Sequence, residues 1–285
     1  MRFAVVGAGV VGTALATRLH EKGHYCIGVS TRSERSYLRF NSYTEGHRKN
    51  LRELTQQAQI IFVTTQDQEI RNAAEGLAAN WDGETGQVWI HCAGAFSSRI
   101  LEVDAKLPVR YLSLHPLQSF AAVDTALQLL SQTHFGIEGD CVEIGERIVN
   151  ELGGIPHSIE TEKKALYHAA AVMGSNFLVT LADLACSFMR EAGMKKDEAL
   201  EALLPLMKGS LSTIESLRLP QALTGPIARG DVKTVSEHIA IMSPIQKEIY
   251  QLLSRETLRL AENKWSAEGE EYPEQTKKAF LELIQ

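Results

Sequence analysis

Cysteine is scarce in this chain of 285 residues: Cys26, Cys92, Cys141 and Cys186 lie far apart, each inside an apolar segment. They form no C-x-x-C pair and share no zinc-like spacing with histidine. That argues against a disulfide framework and a metal site, and leaves buried free thiols in a reducing cytoplasm as the expectation. Long apolar runs are also lacking, none reading as the roughly 20 residues of a membrane helix, so no membrane partner is expected. Positive charge is in deficit, with 29 Lys and Arg against 35 Asp and Glu and a net charge of -6. Without a basic field, nucleic acid is not an expected partner, and a small-molecule substrate is. A chain of this length that is 44% apolar can build a sizeable core, more readily as two domains than one.

What is present begins at residues 2 to 19, RFAVVGAGVVGTALATRL. A basic residue, an apolar stretch and Ala14-Leu15-Ala16 have the outline of a secretory signal with its cleavage site. Gly7, Gly9 and Gly12 oppose that reading, since each weakens a helix by roughly 1 kcal/mol relative to Ala. The same glycines suit a strand from Phe3 to Val6, a turn at Gly7-Ala8-Gly9 and a helix entered at Val10 and Val11. In such a G-x-G-x-x-G turn Gly9 lets a diphosphate approach the backbone and Gly12 lets the helix pack close to the strand. The helix dipole adds about half a positive charge at that point. The segment is expected to remain in the mature protein.

A second strand is expected from Tyr25 to Val29, after a helix stopped by Gly23. The acid that accepts hydrogen bonds from an NAD ribose, about 20 residues past the glycines, is missing. In its place stand Ser30, Thr31, Arg32 and Ser33, with Arg35 beyond. Arginine flanked by hydroxyls suits a 2'-phosphate. One charge-assisted contact of about 1.5 to 3 kcal/mol would favour NADP over NAD by roughly tenfold to a hundredfold. NADP is therefore the expected cofactor, a solvated polar turn being the alternative.

Further strand-like runs are Ile60 to Thr64, Val88 to His91, Tyr111 to Leu114, His134 to Ile137 and Ile155 to Ile159, with helical patterns between several of them. This alternation predicts an α/β domain with a doubly wound, mostly parallel sheet over residues 1–159. From Glu160 the pattern is helical only, over Lys163 to Ala192, Lys196 to Leu217, Val232 to Met242, Pro244 to Asn263 and Pro273 to Leu283. Residues 160–285 are accordingly expected to form an all-helical second domain.

The order of a dinucleotide motif, a sheet domain and a helical remainder resembles pyrroline-carboxylate reductase, the 3-hydroxyacid dehydrogenases and ketopantoate reductase. More specifically, SLHPLQSFA (113 to 121), KALYHAAAVMGSN (164 to 176) and LTGPIARGD (223 to 231) resemble the Rossmann-like oxidoreductases with a C-terminal domain of unknown function, the one numbered 2520. That resemblance implies a fold and a cofactor class, and a homodimer formed through the helical domain. It supplies no substrate.

Ligands of such sheets bind at the carboxyl ends of the strands, which nominates the loops holding Thr65, Gln66, Gly94 and His115. Thr65 and Gln66 could reach a cofactor ribose or phosphate, and Gly94 would let a nicotinamide lie against backbone. Lys164 and His168, four apart at the start of a long helix, project from one face about 6 Å apart along its axis. The pair looks like the Lys-x-x-x-Asn with which 3-hydroxyacid dehydrogenases and ketopantoate reductase bind and protonate substrate, with His in place of Asn. Either residue could be the acid; a solvated lysine and an interface histidine are the plain alternative. Asn176, about 12 Å beyond His168 and about 18 Å beyond Lys164 along the axis, is too far from Lys164 to share one small substrate with it, and could serve the cofactor end of the substrate cleft, a partner helix or a buried hydrogen bond. Arg229, in a glycine-flanked loop, could grip a substrate carboxylate in two places. Asp231 is placed to cap the following helix, and Thr234 and His238 could extend the Arg229 face.

Together these residues predict an NADP-dependent oxidoreductase that reduces a small keto or imino acid. The alternatives are a non-catalytic NADP-binding sensor on the same fold and, from His115-Pro116, a prephenate-type dehydrogenase.

Overall fold

Short runs rich in Val, Ile and Phe, bounded by glycines and polar turns, form the strands of the computed structural model, which describes residues 1–285. They are β1 (Arg2–Val6), β2 (Tyr25–Ser30), β3 (Ile60–Val63), β4 (Val88–His91), β5 (Arg110–Pro116), β6 (His134–Gly139) and β7 (Ile155–Ser158). The helices among them are α1 (Val10–Glu21), α2 (Glu34–Asn41), α3 (Leu51–Gln57), α4 (Ile70–Ala79), α5 (Val123–Leu129), α6 (Val142–Leu152) and α7 (Lys164–Gly174). The remainder is α8 (Asn176–Glu191), α9 (Lys196–Leu217), α10 (Pro226–Arg229), α11 (Val232–Ala240), α12 (Pro244–Ala267) and α13 (Glu274–Leu283).

The strands form one sheet in the order β2-β1-β3-β4-β5-β6-β7. Every neighbouring pair is parallel except β5 and β6, whose register sets Ser113 opposite Glu138 and His115 opposite Gly136. Strand order turns back at β1 and β3, and the crevice at such a point is where this architecture binds ligands.

Alternation along the strands separates two cores. Phe3, Val5, Phe62, Ile90, Leu112 and Leu114 pack beneath α1, α5 and α6. Ala4, Ile61, Val63, Trp89 and Tyr111 pack beneath α3 and α4. Each fully buried large aliphatic or aromatic side chain contributes about 1.5–3 kcal/mol relative to exposure, so the two faces together hold the sheet. On the second face the strands change character toward their carboxyl ends, where His91, Ser113, His115 and Glu138 follow Trp89 and Tyr111.

Packing divides the chain into two compact units, Met1–Val179 and Thr180–Gln285. Periodicity changes earlier, at Glu160, because α7 is a helix that packs on the sheet. In the second unit Ile227, Val235, Ile239, Leu258 and Phe280 form a core shared by α10 to α13. A smaller cluster joins Cys186 of α8 to Ala199 and Leu203 of α9. All four cysteines are unpaired thiols.

One expectation is corrected. The helical stretch Thr161–Glu191 holds an 18-residue window with a mean hydropathy of 1.5, long and apolar enough to cross a membrane by length and composition. The polar letters His168, Ser175 and Asn176 disguise it, yet no charged residue stands between Lys164 and Asp183. Its first turn is fixed to the sheet through buried Lys164. A second correction is local: His115 and Pro116 end β5 rather than lying in the loop that follows.

Candidate functional site

The carboxyl ends of β1, β2 and β3 open into a cleft of about 790 Å³. Its walls are the glycine turn from Gly7 through Val11, the β2 end from Ser30 to Ser33, and Thr64 to Asp67 with Glu69, closing on Cys92 and Ala93. Gly7 has φ +99, and a Cβ there would lie 2.7 Å from Thr65 N, so only glycine fits. A Cβ on Gly12 would stand under 3.0 Å from Thr64 Oγ1 and the Gly7 carbonyl. Thr64 Oγ1 donates to that carbonyl at 2.7 Å, locking β3 to the turn. Around Gly9 the nearest atom to a Cβ is Thr64 O at 3.6 Å, so the turn is open where a ligand would approach.

The donors here suit a diphosphate. The N-terminus of α1 has no capping side chain and no acid in its first turn, leaving its N–H groups and dipole to an anion. Thr65 lines the same cleft, and its buried hydroxyl has no protein partner. Beside the β2 end, Arg32 is 86% exposed and pairs with Glu69 at 3.0 Å. Ser33 accepts from Ser36 N as the cap of α2. Arg35 points to solvent outside the cleft wall; Arg39, one turn on, lines it and donates to the Ala8 carbonyl. An Arg39-bearing wall escaped the sequence reading, although Arg39 stands one helical turn beyond Arg35 on the same short helix.

A second group of side chains gathers next to Ala93. His91, Ser113 and Glu138 are wholly or almost wholly buried. His91 Nδ1 accepts from Ala93 N at 3.1 Å, so this histidine shapes the loop carrying Gly94. Burial, with Lys164 nearby, drives its pKa down to about 3, which keeps it neutral. Lys164 is only 2% exposed and its ammonium donates to Ser113 Oγ at 2.8 Å. Burial lowers the Lys164 pKa to about 8, while the charge of Glu138 acts in the opposite sense. Glu138 in turn accepts from Ser98 N, Ser98 Oγ and Thr161 Oγ1, tying the strand to the segment that enters α7. The Cys92 thiol is pushed up to about 12 by burial, so it stays protonated and inert.

The structure brings Lys164, His168 and His115 together through Gly94 and Tyr167. A Cβ on Gly94 would stand under 3.0 Å from both His168 Nδ1 and His115 Nε2. Gly94 thus clears space for two imidazoles, a steric reason distinct from contact with a cofactor ring. The His168 Nδ1 is buried without a protein partner, and its ring meets that of His115 edge-on at 6.0 Å. Tyr167, between Lys164 and His168 in sequence, reaches His115 Nδ1 with its hydroxyl at 3.0 Å. The Lys164 ammonium lies 5.2 Å from the Tyr167 ring centroid.

Other candidates have local explanations. Ser175 Oγ donates to Asn176 Oδ1 at 3.0 Å where α7 gives way to α8. Asp231 caps α11, accepting from Thr234 N at 3.1 Å and from Thr234 Oγ1 at 2.7 Å. His238 is bonded to the Tyr250 hydroxyl at 2.9 Å, so Thr234 and His238 are both engaged within the second unit. Arg229 is exposed at the end of α10. Ser113, Tyr167 and Glu138 were missed in the sequence; the first could have been found from its spacing of two from His115, which puts both on one sheet face.

Residues 1–116 match the model of a Rossmann-like domain, and residues 133–257 match the domain of unknown function DUF2520. No functionally curated protein matches the chain. Protein TM1727 from Thermotoga maritima is 30% identical over 90% of this chain and 98% of its own, with a TM-score of 0.68. BF3122 from Bacteroides fragilis, which carries the provisional name NADP oxidoreductase, is 23% identical over 90% of this chain and 98% of its own, at 0.69. The pyrroline carboxylate reductase of Plasmodium falciparum, solved with NADP bound, is 14% identical over 98% of both chains, at 0.55. The last two likenesses are of fold.

Proposed function

The chain belongs to the family of Rossmann-like proteins with a C-terminal DUF2520 domain, and from that premise we propose that it is an NADP(H)-dependent oxidoreductase reducing a small keto or imino acid. One observation carries this reading: a cleft with the donors for a diphosphate closes on Cys92 and Ala93, beside a cluster that holds a proton on a buried lysine. The glycine turn and the first turn of α1 hold the diphosphate, and Arg32, with the Ser30, Thr31 and Ser33 hydroxyls, receives the 2'-phosphate. When bound, NADPH supplies a hydride. The chain must then deliver one proton to the carbonyl oxygen or imine nitrogen, and Lys164 and His168 are its sources. A Lys164 pKa of about 8 leaves the ammonium charged at neutral pH yet a far better acid than an ordinary lysine.

The partner we propose is a second copy of the chain. Leu200, Leu204, Leu211 and Ile214 of α9 stand exposed on one face at helical spacing.

The test is NADPH consumption across a panel of 2-oxo acids and cyclic imines, with Lys164→Ala and His168→Ala alongside. Turnover lost in these variants with NADPH affinity retained is the expected result. Tight NADPH binding without turnover on any member would favour a nucleotide-responsive partner protein instead, and variants as active as wild type would remove both residues from the chemistry.

A further inference from the structure

His115 is held by one hydrogen bond, between its Nδ1 and the Tyr167 hydroxyl at 3.0 Å, with the rings edge to face at 5.6 Å. The two backbones opposite these rings are glycines. Gly136, paired with His115 across β5 and β6, would drive a Cβ to within 3.0 Å of the Tyr167 ring and hydroxyl. Gly94 would do the same to His115 Nε2. Two missing side chains therefore let Tyr167 lie on the sheet and let His115 Nε2 face the loop that closes the nucleotide cleft.

A neutral imidazole carries one proton, and the hydrogen bond at one nitrogen decides which nitrogen bears it. A phenol hydroxyl is a stronger acid than an imidazole N–H and a poorer acceptor than an imidazole lone pair. The bond accordingly runs from Tyr167 O–H to His115 Nδ1. The Lys164 ammonium over the Tyr167 ring favours the same direction by withdrawing electron density from the phenol. We infer that Tyr167 is a positioning residue that fixes His115 as the Nε2–H tautomer, so that His115 donates a hydrogen bond to the oxygen or nitrogen of the substrate's C=O or C=N group. This rests on the reductase reading. His115 polarises the bond being reduced, while the proton itself comes from Lys164 or His168, the titratable groups that face it along with Tyr167. Burial first, then Lys164 and His168, hold the His115 pKa down to about 4, so it remains a neutral donor at physiological pH.

The experiment is long-range nitrogen–proton correlation NMR on the full chain labelled with 15N-histidine. The His115 signals are identified by their loss in His115→Gln. At pH 7 the wild type should show a proton on Nε2 and a bare, hydrogen-bonded Nδ1, and Tyr167→Phe should shift the Nδ1 resonance. Kinetically, Tyr167→Phe should lower kcat about tenfold with unchanged NADPH affinity. His115→Gln, which retains an N–H donor, should keep more kcat than His115→Ala. A proton on Nδ1, a charged His115 at pH 7, or a Tyr167→Phe enzyme with wild-type kcat would overturn the inference. Absence of turnover in the wild type would sink the reductase reading, and the spectrum would still decide the tautomer.

Discussion

Lys164 Nζ donates to Ser113 Oγ across 2.8 Å, and both side chains are withdrawn from solvent. The bond fastens the first turn of α7 to the middle of β5. A hydroxyl is a modest partner for an ammonium, so burial is only partly compensated, and Glu138 acts from a distance rather than as an ion-pair partner. The lysine therefore gives up its proton near pH 8, well below an ordinary lysine.

For a reduction that draws on this proton, kcat/KM should fall as pH rises through about 8, since the donor must be protonated. A pH–rate profile with NADPH checks this. The alkaline limb should vanish in Lys164→Ala along with most of the activity.

Stability should move the opposite way. The folded pKa of about 8 lies below the ordinary 10.5, so between those values the unfolded chain binds the extra proton and the Lys164 contribution to stability rises with pH. Below pH 8 both states hold the proton and the burial cost is complete. Lys164→Met should then raise stability at pH 7 by about 1–3 kcal/mol while abolishing turnover, as read by denaturant unfolding.

Gly94→Ala should displace His168 and His115 together, because the new methyl would sit under 3.0 Å from both rings. Turnover should drop by about a hundredfold or more, with NADPH affinity changed little, a pattern seen by separating kcat from the Kd of the nucleotide.

Gly12→Val should lower the melting temperature and abolish nucleotide binding, since its Cβ meets both the Thr64 side chain and the Gly7 carbonyl. A cost of about 1–3 kcal/mol is expected from such overpacking, and a thermal melt with and without NADPH reads both effects.

Exposed leucines make the dimer testable. Leu204→Asp with Leu211→Asp should give a monomer by sedimentation, whereas the wild type should sediment as two copies of the 31.5 kDa chain.

The glycine turn and the buried strands β1 to β5 could be read from letters, because a buried strand is a short apolar run and only glycine tolerates the turn, whereas β7 was legible despite its exposed, polar run. Lys164 and His168 were legible from helical spacing. Tyr167, Glu138 and Gly136 were not, since their importance depends on β5 and β6 running antiparallel, and no local pattern fixes that pairing. Arg39 was passed over for Arg35 because the direction of a short helix relative to the cleft is a tertiary property. The apolar stretch after Lys164 was hidden by scattered polar letters that leave its mean hydropathy high.

Cofactor choice is the most direct measure of the account, by titration calorimetry of NADPH and NADH against wild type, Arg32→Ala and Arg35→Ala. NADPH should bind at least about tenfold tighter than NADH, the preference should disappear in Arg32→Ala, and Arg35→Ala should match wild type. No binding of either nucleotide, or a preference for NADH that Arg32→Ala leaves intact, would contradict it.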